Sequence, residues 1–227
     1  MNLARTRDII KAHGVAAGMG DLVYRGVNRI TDVTVLNAMA LTMVTVDGSF
    51  LDGPDRGWGF VGLDEIIAQV RANGEALDLD EHFVRTASAR GDRCYGVIDG
   101  GVLGSYGWYS ELPTEVNRDL VLHYDSSYSY MYKGFTVPAL RGKRLHGIGM
   151  ARALAALTAE GKKGLVSYVA SNNFASLRSC ERLGYVEFGH VMAATLGGRI
   201  LMHATRGCGA FGFHVEPKAP RSTAPEA

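Results

Sequence analysis

YSYMYKGFTVPALRGKRLHGIGMARALAALTAEGKKGLVSYVASNNFASLRSCERLGY is the sequence of residues 128–185, and the rest of the chain is organised around it. Tyr128 to Val137 is rich in aromatic and β-branched residues, which predicts a strand, and Pro138 ends it because proline has no backbone N–H to donate. Ile148 to Leu157 has apolar residues at helical spacing among several alanines, which predicts a helix. Leu165 to Val169 predicts a second strand.

A basic turn, Arg141 to Gly147, joins the first predicted strand to the helix. Such a turn offers an anion free backbone N–H groups and the positive end of a helix, and arginine and lysine add charge-assisted hydrogen bonds to phosphate. The turn matches neither the Walker loop nor the GxGxxG fingerprint, and the literal GxGxxG from Gly207 to Gly212 has no helical pattern after it. Taken alone, the turn fits a surface turn that caps a helix at least as well as an anion site.

The whole stretch resembles the acyl-CoA-binding half of the GNAT superfamily of N-acetyltransferases. Thr136 to Gly142 is similar to the start of the family's V-x-P-x-x-R-G-x-G-x-G turn, and Asn173 to Tyr185 is similar to its N-x-x-A-x-x-L-Y-E-x-x-G-F segment. The resemblance extends over residues 93–190. It implies an α/β (α+β) fold, GNAT-like and mixed, with a mostly antiparallel central sheet flanked by helices. It also implies an N-acyltransferase, in the first place an N-acetyltransferase, which moves an acyl group from acetyl-CoA or another acyl-CoA to an amine by direct transfer in a ternary complex.

The resemblance assigns cofactor-binding roles to residues on both sides of the turn. The backbone of Phe135, Thr136 and Val137 would line the pantetheine arm and the thioester. The pyrophosphate would be held by the turn, which consists of Arg141, Gly142, Lys143, Arg144, Leu145, His146 and Gly147. Asn173 matches a family position that contacts the cofactor arm or orders its own turn.

The sequence departs from the family pattern at two places. The family's Q/R-x-x-G-x-G/A signature aligns by spacing with Arg141 to His146, which puts Arg144 and His146 where glycines usually lie. The literal string RxxGxG occurs three residues later, from Arg144 to Gly149, but this alignment would put the helix and the next strand out of step. Cys180 stands where most members carry a tyrosine that acts as general acid.

Tyr130 and Cys180 are the candidate catalytic residues. Tyr130 alternates with Tyr128 and Tyr132 on one face of the predicted strand, near the position where some relatives keep a catalytic glutamate. A tyrosine of ordinary pKa, about 10, is a poor base, so a water chain is an alternative, as are three nearby side chains: Glu115, His123 and Asp125. A packed aromatic face is the structural alternative for the tyrosines. Cys180 is interpreted either as a general acid, because a thiol is mostly protonated at neutral pH, or as an inert buried residue.

Composition limits the other classes of function. The 227 residues carry a net charge of +1, so no global electrostatic attraction to nucleic acid or to a membrane is expected. The three cysteines have no metal-ligand spacing, so we expect no metal and a reduced, cytoplasmic protein. No run of about 18 apolar residues occurs, so we expect no membrane span, and residues 1–21 lack the apolar segment of a secretory signal. The expected partner is a small-molecule amine acceptor, with an acyl carrier protein and a homodimer as further possibilities.

The remaining sequence predicts three segments: an N-terminal helical extension over residues 1–35, a GNAT-like acyltransferase domain over 36–215, and a disordered tail over 216–227. In the extension, His13-Gly14 and Gly18-Met19-Gly20 are predicted to break a first helix, and Asp21 is predicted to cap a second one. In the domain, the sequence predicts a first strand at 43–46, helices at 63–70 and 80–89, a hairpin over 94–109, an antiparallel pair at 187–192 and 199–204, and an edge strand at 207–213.

The sequence is also compatible with two other functions. The altered signature also fits a GNAT-fold binding module that does not catalyse transfer. A third possibility is an acyltransferase whose donor is an acyl carrier protein, because basic residues that suit either donor recur near the turn and after the helix: Arg141, Lys143, Arg144, Lys162 and Lys163.

Overall fold

A computed structural model describes residues 3–28, 32–53, 57–197 and 199–218. The helices are α1 (Leu3–His13), α2 (Val15–Val27), α3 (Leu63–Leu77), α4 (Glu81–Ala89), α5 (Leu145–Ala159) and α6 (Phe174–Leu183). The strands are β1 (Asp32–Leu41), β2 (Trp58–Val61), β3 (Arg93–Asp99), β4 (Val102–Ser110), β5 (Thr114–Glu115), β6 (Leu120–His123), β7 (Tyr128–Thr136), β8 (Gly164–Ala170), β9 (Val186–Leu196), β10 (Arg199–Ala204) and β11 (His214–Pro217).

Eight strands form the central sheet, in the order β10-β9-β1-β8-β7-β4-β3-β2. Within it, β7 and β8 are parallel, whereas the other neighbours are antiparallel. A second sheet has the order β11-β6-β5. The predicted fold class, a mixed and mostly antiparallel sheet flanked by helices, is therefore confirmed.

Side chains alternate across the central sheet, and each face has its own cover. On one face, Met39, Leu41 and Leu165 pack against apolar residues of α5 and α6. On the other face, α3 and α4 cover β3 and β4, while the second sheet and the 3-10 helix Arg206–Phe211 cover β1, β8 and β9. Strand β7 lies between these two covers on the second face.

Strands β7 and β8 separate soon after they begin. They pair only through Tyr128, Ser129 and Tyr130, and one further link joins the Ser167 Oγ, which donates to the Met131 carbonyl oxygen at 2.9 Å. Beyond this point the edge of β7 has no strand partner among the described residues. The sheet is thus split in its centre, next to the first turn of α5.

The N-terminal helices differ from the prediction. Helix α2 begins at Val15, so the interpretation of Asp21 as its cap is wrong: Asp21 lies mid-helix, buried, and its Oδ2 is 2.8 Å from the Arg25 Nε. Gly18, predicted as a helix breaker, is helical because α1 packs against it, and a side chain there would collide with Ile10. The helix tolerates glycine where the close approach of a neighbour requires it.

The first strand also lies earlier than predicted. Residues 43–46 form a turn in which the N–H groups of Thr45 and Val46 both donate to the Thr42 carbonyl. The strand is β1 instead, and it pairs with β8 and β9 in the middle of the sheet. The predicted boundary between residues 35 and 36 therefore falls inside a central strand, and residues 32–35 belong to the sheet.

The C-terminal segment was likewise mispredicted. Residues 206–211 form a 3-10 helix rather than an edge strand, because Gly207 lies directly against the Phe188 backbone and Cys208 is buried beneath it. Strand β11 then pairs with β6, so the first two residues of the predicted tail are ordered, and the Lys218 N–H donates to the Asp119 carbonyl at 2.7 Å. The rest of the predicted tail, residues 219–227, lies outside the described residues.

Other local predictions are confirmed. The hairpin is β3–β4, the antiparallel pair is β9–β10, and the two predicted helices are α3 and α4. Among the described residues, no helix is both long and apolar enough to span a bilayer.

Candidate active site

Two cavities meet at the split between β7 and β8. We call the first the cationic groove; its volume is 650 Å³, and it is lined by Asp47, Phe50, Thr136, Leu140, Arg141, Gly142, Arg144, Leu145, His146, Gly147, Ser179 and Arg182. We call the second the tyrosine cavity; its volume is 350 Å³, and it is lined by Tyr130, Met131, Tyr132, His146, Met150, Ser167, Tyr168, Val169, Ala175, Ser176, Ser179, Cys180 and Tyr185. His146 and Ser179 belong to both walls, so the two cavities adjoin.

The first turn of α5 opens into the cationic groove. The residue before the helix, Arg144, has the left-handed conformation (φ 60°), and within the described residues no side chain caps the helix. The first N–H groups of a helix have no partner inside it, so those of Leu145, His146 and Gly147 are available to a ligand. They give this end of the groove a positive potential.

Three arginines add charge to the groove. The Arg141 Nε donates to the Thr136 carbonyl at 3.2 Å. The Arg144 guanidinium lies 3.9 Å from the centre of the Phe50 ring and donates to the Ser49 Oγ at 3.1 Å. Arg182 enters from α6, where its Nε donates to a backbone carbonyl of its own helix at 3.2 Å. The groove is therefore suited to a polyanion such as a pyrophosphate.

One carboxylate, Asp47, opposes this charge. It caps the short 3-10 helix Gly48–Phe50 by accepting the Ser49 N–H at 2.9 Å. This hydrogen bond, with help from the nearby Arg144 charge, lowers the pKa of Asp47 below its usual value. Asp47 is thus ionised at neutral pH, and it reduces the positive potential of the groove.

Gly147, the last residue of the turn, and Gly149 both lie against aromatic rings. Gly147 lies beneath the Phe50 ring, and a side chain at Gly149 would come within 2.7 Å of the Trp58 ring. A side chain at either position would collide with an aromatic ring, so packing requires glycine at both. The left-handed Arg144 occupies the conformation that a glycine adopts most readily, which agrees with the alignment by spacing from Arg141 to His146.

His146 stands at the junction of the two cavities. Its ring is mostly buried and lies against Gly134, where any side chain would collide with it. Burial lowers the pKa of His146, so the imidazole is neutral at neutral pH. A neutral imidazole can donate from one nitrogen and accept at the other.

The predicted backbone lining is only partly at the groove. Thr136 lines it, whereas the side chains of Phe135 and Val137 pack on the opposite face, toward α3 and α4. The Phe135 carbonyl accepts from the Ser105 Oγ at 3.1 Å, on the side that pairs with β4.

Lys143 and Asn173 lie outside both cavities. Lys143 lines a separate 330 Å³ cavity beside Leu140 and Leu145. Asn173 is exposed and caps α6, where its Oδ1 accepts the Ser176 N–H at 3.2 Å. This hydrogen bond orders the start of α6, and a contact of Asn173 with the cofactor arm stays a prediction.

Tyr130 lies inside the tyrosine cavity but is 2% exposed. Burial raises the pKa of Tyr130 well above its usual value, and the neighbouring Tyr168 contributes in the same direction. The phenol therefore keeps its proton, which suits a hydrogen-bond donor and opposes a role as base.

Cys180 is half-buried in the same cavity. Burial raises the pKa of the Cys180 thiol to about 11, so it is protonated throughout the neutral range. This state suits a proton donor, while a nucleophile would need the thiolate.

The alternative bases lie elsewhere. His123 stacks on His214 at 5.2 Å in the second sheet, Asp125 accepts the Ser127 N–H at 2.8 Å, and Glu115 pairs with Lys218. None of the three lines the tyrosine cavity. Among the described residues, no cluster of three histidine, cysteine or carboxylate side chains could hold a metal ion.

Several residues that line the two cavities are not predicted by the sequence patterns. Arg182 and Ser179 lie inside the matched segment, and their spacing of three residues places both on one face of the predicted helix. Asp47 and Phe50 come from a glycine-rich loop about 90 residues before the turn, and no local pattern signals their approach.

Comparisons with known proteins give only distant similarities. No protein-family model matches the sequence, and no curated protein matches it either. The chain is similar to a solved GNAT-family acetyltransferase from Colwellia psychrerythraea, with 14% identity and a TM-score of 0.49 over 78% of this chain and 57% of that one. It is also similar to a putative GNAT-family acetyltransferase from Novosphingobium aromaticivorans, with 18% identity and a TM-score of 0.47 over 77% and 68% of the two chains.

A third similar structure is the aminoglycoside N-acetyltransferase AAC(6')-Iy in complex with CoA, with 16% identity and a TM-score of 0.38 over 57% of this chain and 91% of that one. The chain spans little more than half the length of the Colwellia protein. At these identities and TM-scores, neither family, activity nor substrate follows from the similarities.

Proposed function

We propose that this protein is an N-acyltransferase that takes an acyl group from acetyl-CoA or another acyl-CoA and transfers it directly to an amine. The observation that supports the proposal best is the junction of the two cavities at the split between β7 and β8. A groove for a polyanion thus adjoins a compact cavity for the reacting groups. An acyl-CoA has the same two parts, a pyrophosphate and a thioester, joined by an extended arm.

The groove would hold the pyrophosphate through the first N–H groups of α5, assisted by Arg141, Arg144 and Arg182. The arm carries amide groups, and the unpaired edge of β7 beyond Tyr130 offers them backbone partners, as an exposed sheet edge does to an added strand. An arm that follows this edge passes His146 and Ser179 and brings the thioester into the tyrosine cavity.

Acyl transfer in the cavity needs an oriented amine and a proton for the departing thiolate. Holding both reactants together supplies a large part of the acceleration in such reactions. In this proposal the protonated thiol of Cys180 gives its proton to the CoA thiolate, and the phenol of Tyr130 donates a hydrogen bond within the cavity.

A non-catalytic binding module is the second candidate, and a specific observation favours it. Phe50 covers Gly147, Arg144 stacks on Phe50, and His146 fills the junction, so bulky groups crowd the entrance to the arm's path. The carrier-protein donor has less support: Lys162 pairs with Glu111 at 2.8 Å, and it follows the far end of a 15-residue helix, about 22 Å from the turn.

Release of CoA thiol tests the proposal. The purified protein is incubated with acetyl-CoA and a panel of aliphatic, aromatic and aminoglycoside amines, and thiol release is followed together with the product mass. We expect amine-dependent release and a product heavier by one acetyl group. Binding of acetyl-CoA without transfer to any amine of the panel would favour the binding module instead.

A further inference from the structure

Tyr132 is the extra residue of a β-bulge. In the pairing of β4 with β7, Tyr109 lies opposite Met131 and Trp108 lies opposite Lys133, which leaves Tyr132 without a partner. A bulge re-aims side chains and is frequent beside active sites. Here it directs Tyr132 into the wall of the tyrosine cavity, at the place where the sheet splits.

The hydroxyl of Tyr132 is committed to a buried carboxylate. It donates to the Asp92 Oδ2 at 2.8 Å, and the Asp92 side chain is 1% exposed. Arg90 pairs with the same oxygen and balances its charge. The other carboxylate oxygen, Oδ1, is buried and makes no hydrogen bond within the part of the chain that the structure describes.

This arrangement turns the Tyr132 hydroxyl into an acceptor. Because its hydrogen points to Asp92, only the lone pairs of the phenolic oxygen remain for a ligand in the cavity. Among the described residues, those that line the cavity include no aspartate, glutamate, lysine or arginine, and Tyr132 links the cavity to a carboxylate through its hydrogen bond to Asp92. Tyr130 and Tyr168 lie beside it, with the rings of Tyr130 and Tyr132 6.0 Å apart.

We propose that Tyr132 is the catalytic residue that receives the proton of the acceptor amine, and that Asp92 is the positioning residue that takes up the phenolic proton of Tyr132. The inference rests on the proposed acyl transfer and adds to it the missing proton acceptor. The acceptor amine donates one N–H to the Tyr132 oxygen, which turns its lone pair toward the thioester.

The atoms and charges then balance. The amine nitrogen forms a bond to the thioester carbon, and its proton passes to the Tyr132 oxygen while the Tyr132 proton passes to the Asp92 Oδ2. The tetrahedral intermediate collapses, the C–S bond breaks, and the CoA thiolate takes the proton of Cys180. The proton on Asp92 returns through solvent to Cys180 after the products leave. A relay of this kind contributes on the order of 100-fold to 10,000-fold to a rate.

The test compares Tyr132→Phe with wild type, using an amine that the wild-type protein acetylates. The variant keeps the ring and loses only the oxygen. We expect kcat to fall by about 100-fold, with an unchanged Kd for acetyl-CoA in calorimetric titration. The matched control is Tyr128→Phe, on the same strand and the same face, whose ring packs on Phe211 outside the cavity; it should retain the wild-type kcat.

Asp92→Asn tests the second half of the relay, and its readout is the solvent deuterium isotope effect on kcat. If the phenolic proton moves to Asp92 during the reaction, the effect changes in Asp92→Asn, whereas a structural role alone leaves it unchanged. If this variant does not fold, Tyr132→Phe decides alone. If the kcat of Tyr132→Phe lies within threefold of the wild-type value, the proton relay is overturned and the proposed acyl transfer stands. If the wild-type protein acetylates no amine, both the relay and the proposed acyl transfer are overturned.

Discussion

The cationic groove and the tyrosine cavity adjoin, yet they are built in different ways. Most of the groove comes from one continuous segment, Thr136 to Gly147, with additions from α6 and from the loop at Asp47. The cavity is assembled from β7, β8, α5 and α6, and it exists only because two strands separate. A local segment can be recognised in a sequence, whereas a separation of strands is a property of the whole sheet.

Blocking the junction gives the largest expected effect. Ser179 lies in both walls and is exposed, so Ser179→Trp should fold while its indole fills the passage. We expect kcat/KM for acetyl-CoA to fall on the order of 1,000-fold, because the thioester no longer reaches the amine. Glu181→Trp, on another face of α6, is the matched control and should stay near wild type. Equal losses in both variants would show that the cavities do not function together.

Removing charge from the groove comes next. Arg141→Ala combined with Arg144→Ala should weaken CoA binding by about 150-fold or more, since two charge-assisted contacts are lost. Lys143→Ala is the control, because Lys143 lines a different cavity, and its effect should stay below about threefold. Calorimetry measures both. Wild-type affinity in the double variant would place the pyrophosphate elsewhere.

The thiol in the cavity should react slowly. With a pKa of about 11, Cys180 is protonated at pH 8, so its alkylation by iodoacetamide should be up to about 100-fold slower than that of the same cysteine in urea-unfolded protein. The rate should rise steadily as the pH approaches 11, and below that pH deprotonation of Cys180 should not lower kcat. Mass spectrometry of the Cys180 peptide gives the rate. A plateau near pH 8 would indicate a thiolate and contradict the role of proton donor.

The smallest effect concerns the carboxylate in the groove. Asp47→Asn keeps an acceptor for the Ser49 N–H and removes the negative charge. We expect CoA to bind about twofold to fivefold tighter at low salt, with the gain reduced at high salt. Asp52→Asn, in the same loop but outside the lining of the groove, is the control. Weaker binding in Asp47→Asn would mean that Asp47 assists the ligand.

The parts of the fold that sequence predicts well are those fixed by local chemistry. The helix after the turn and the β3–β4 hairpin follow from apolar spacing and turn residues. The predictions that are wrong concern segments whose conformation is set by tertiary contacts. Gly18 is helical because α1 packs on it, and residues 206–211 form a 3-10 helix because Gly207 lies against the Phe188 backbone.

The residues of the candidate site also fall into two groups, those that local sequence predicts and those that tertiary contacts bring together. Arg141, Arg144 and His146 were predicted from the turn and lie at the groove, as expected of residues close in sequence. The link between Tyr132 and Asp92 joins residues 40 positions apart and depends on a bulge, which no sequence pattern marks. Sequence therefore shows the place of the groove but not the contact that joins Tyr132 to Asp92.

The most direct test of the account is a calorimetric titration of the wild-type protein with acetyl-CoA, with free CoA and ATP as comparison ligands. We expect one acetyl-CoA per chain, comparable binding of free CoA, and at least about tenfold weaker binding of ATP, because ATP lacks the arm that would follow the edge of β7. Absence of CoA binding, or equal binding of ATP, would contradict the claim that the groove and the cavity together accept an acyl-CoA.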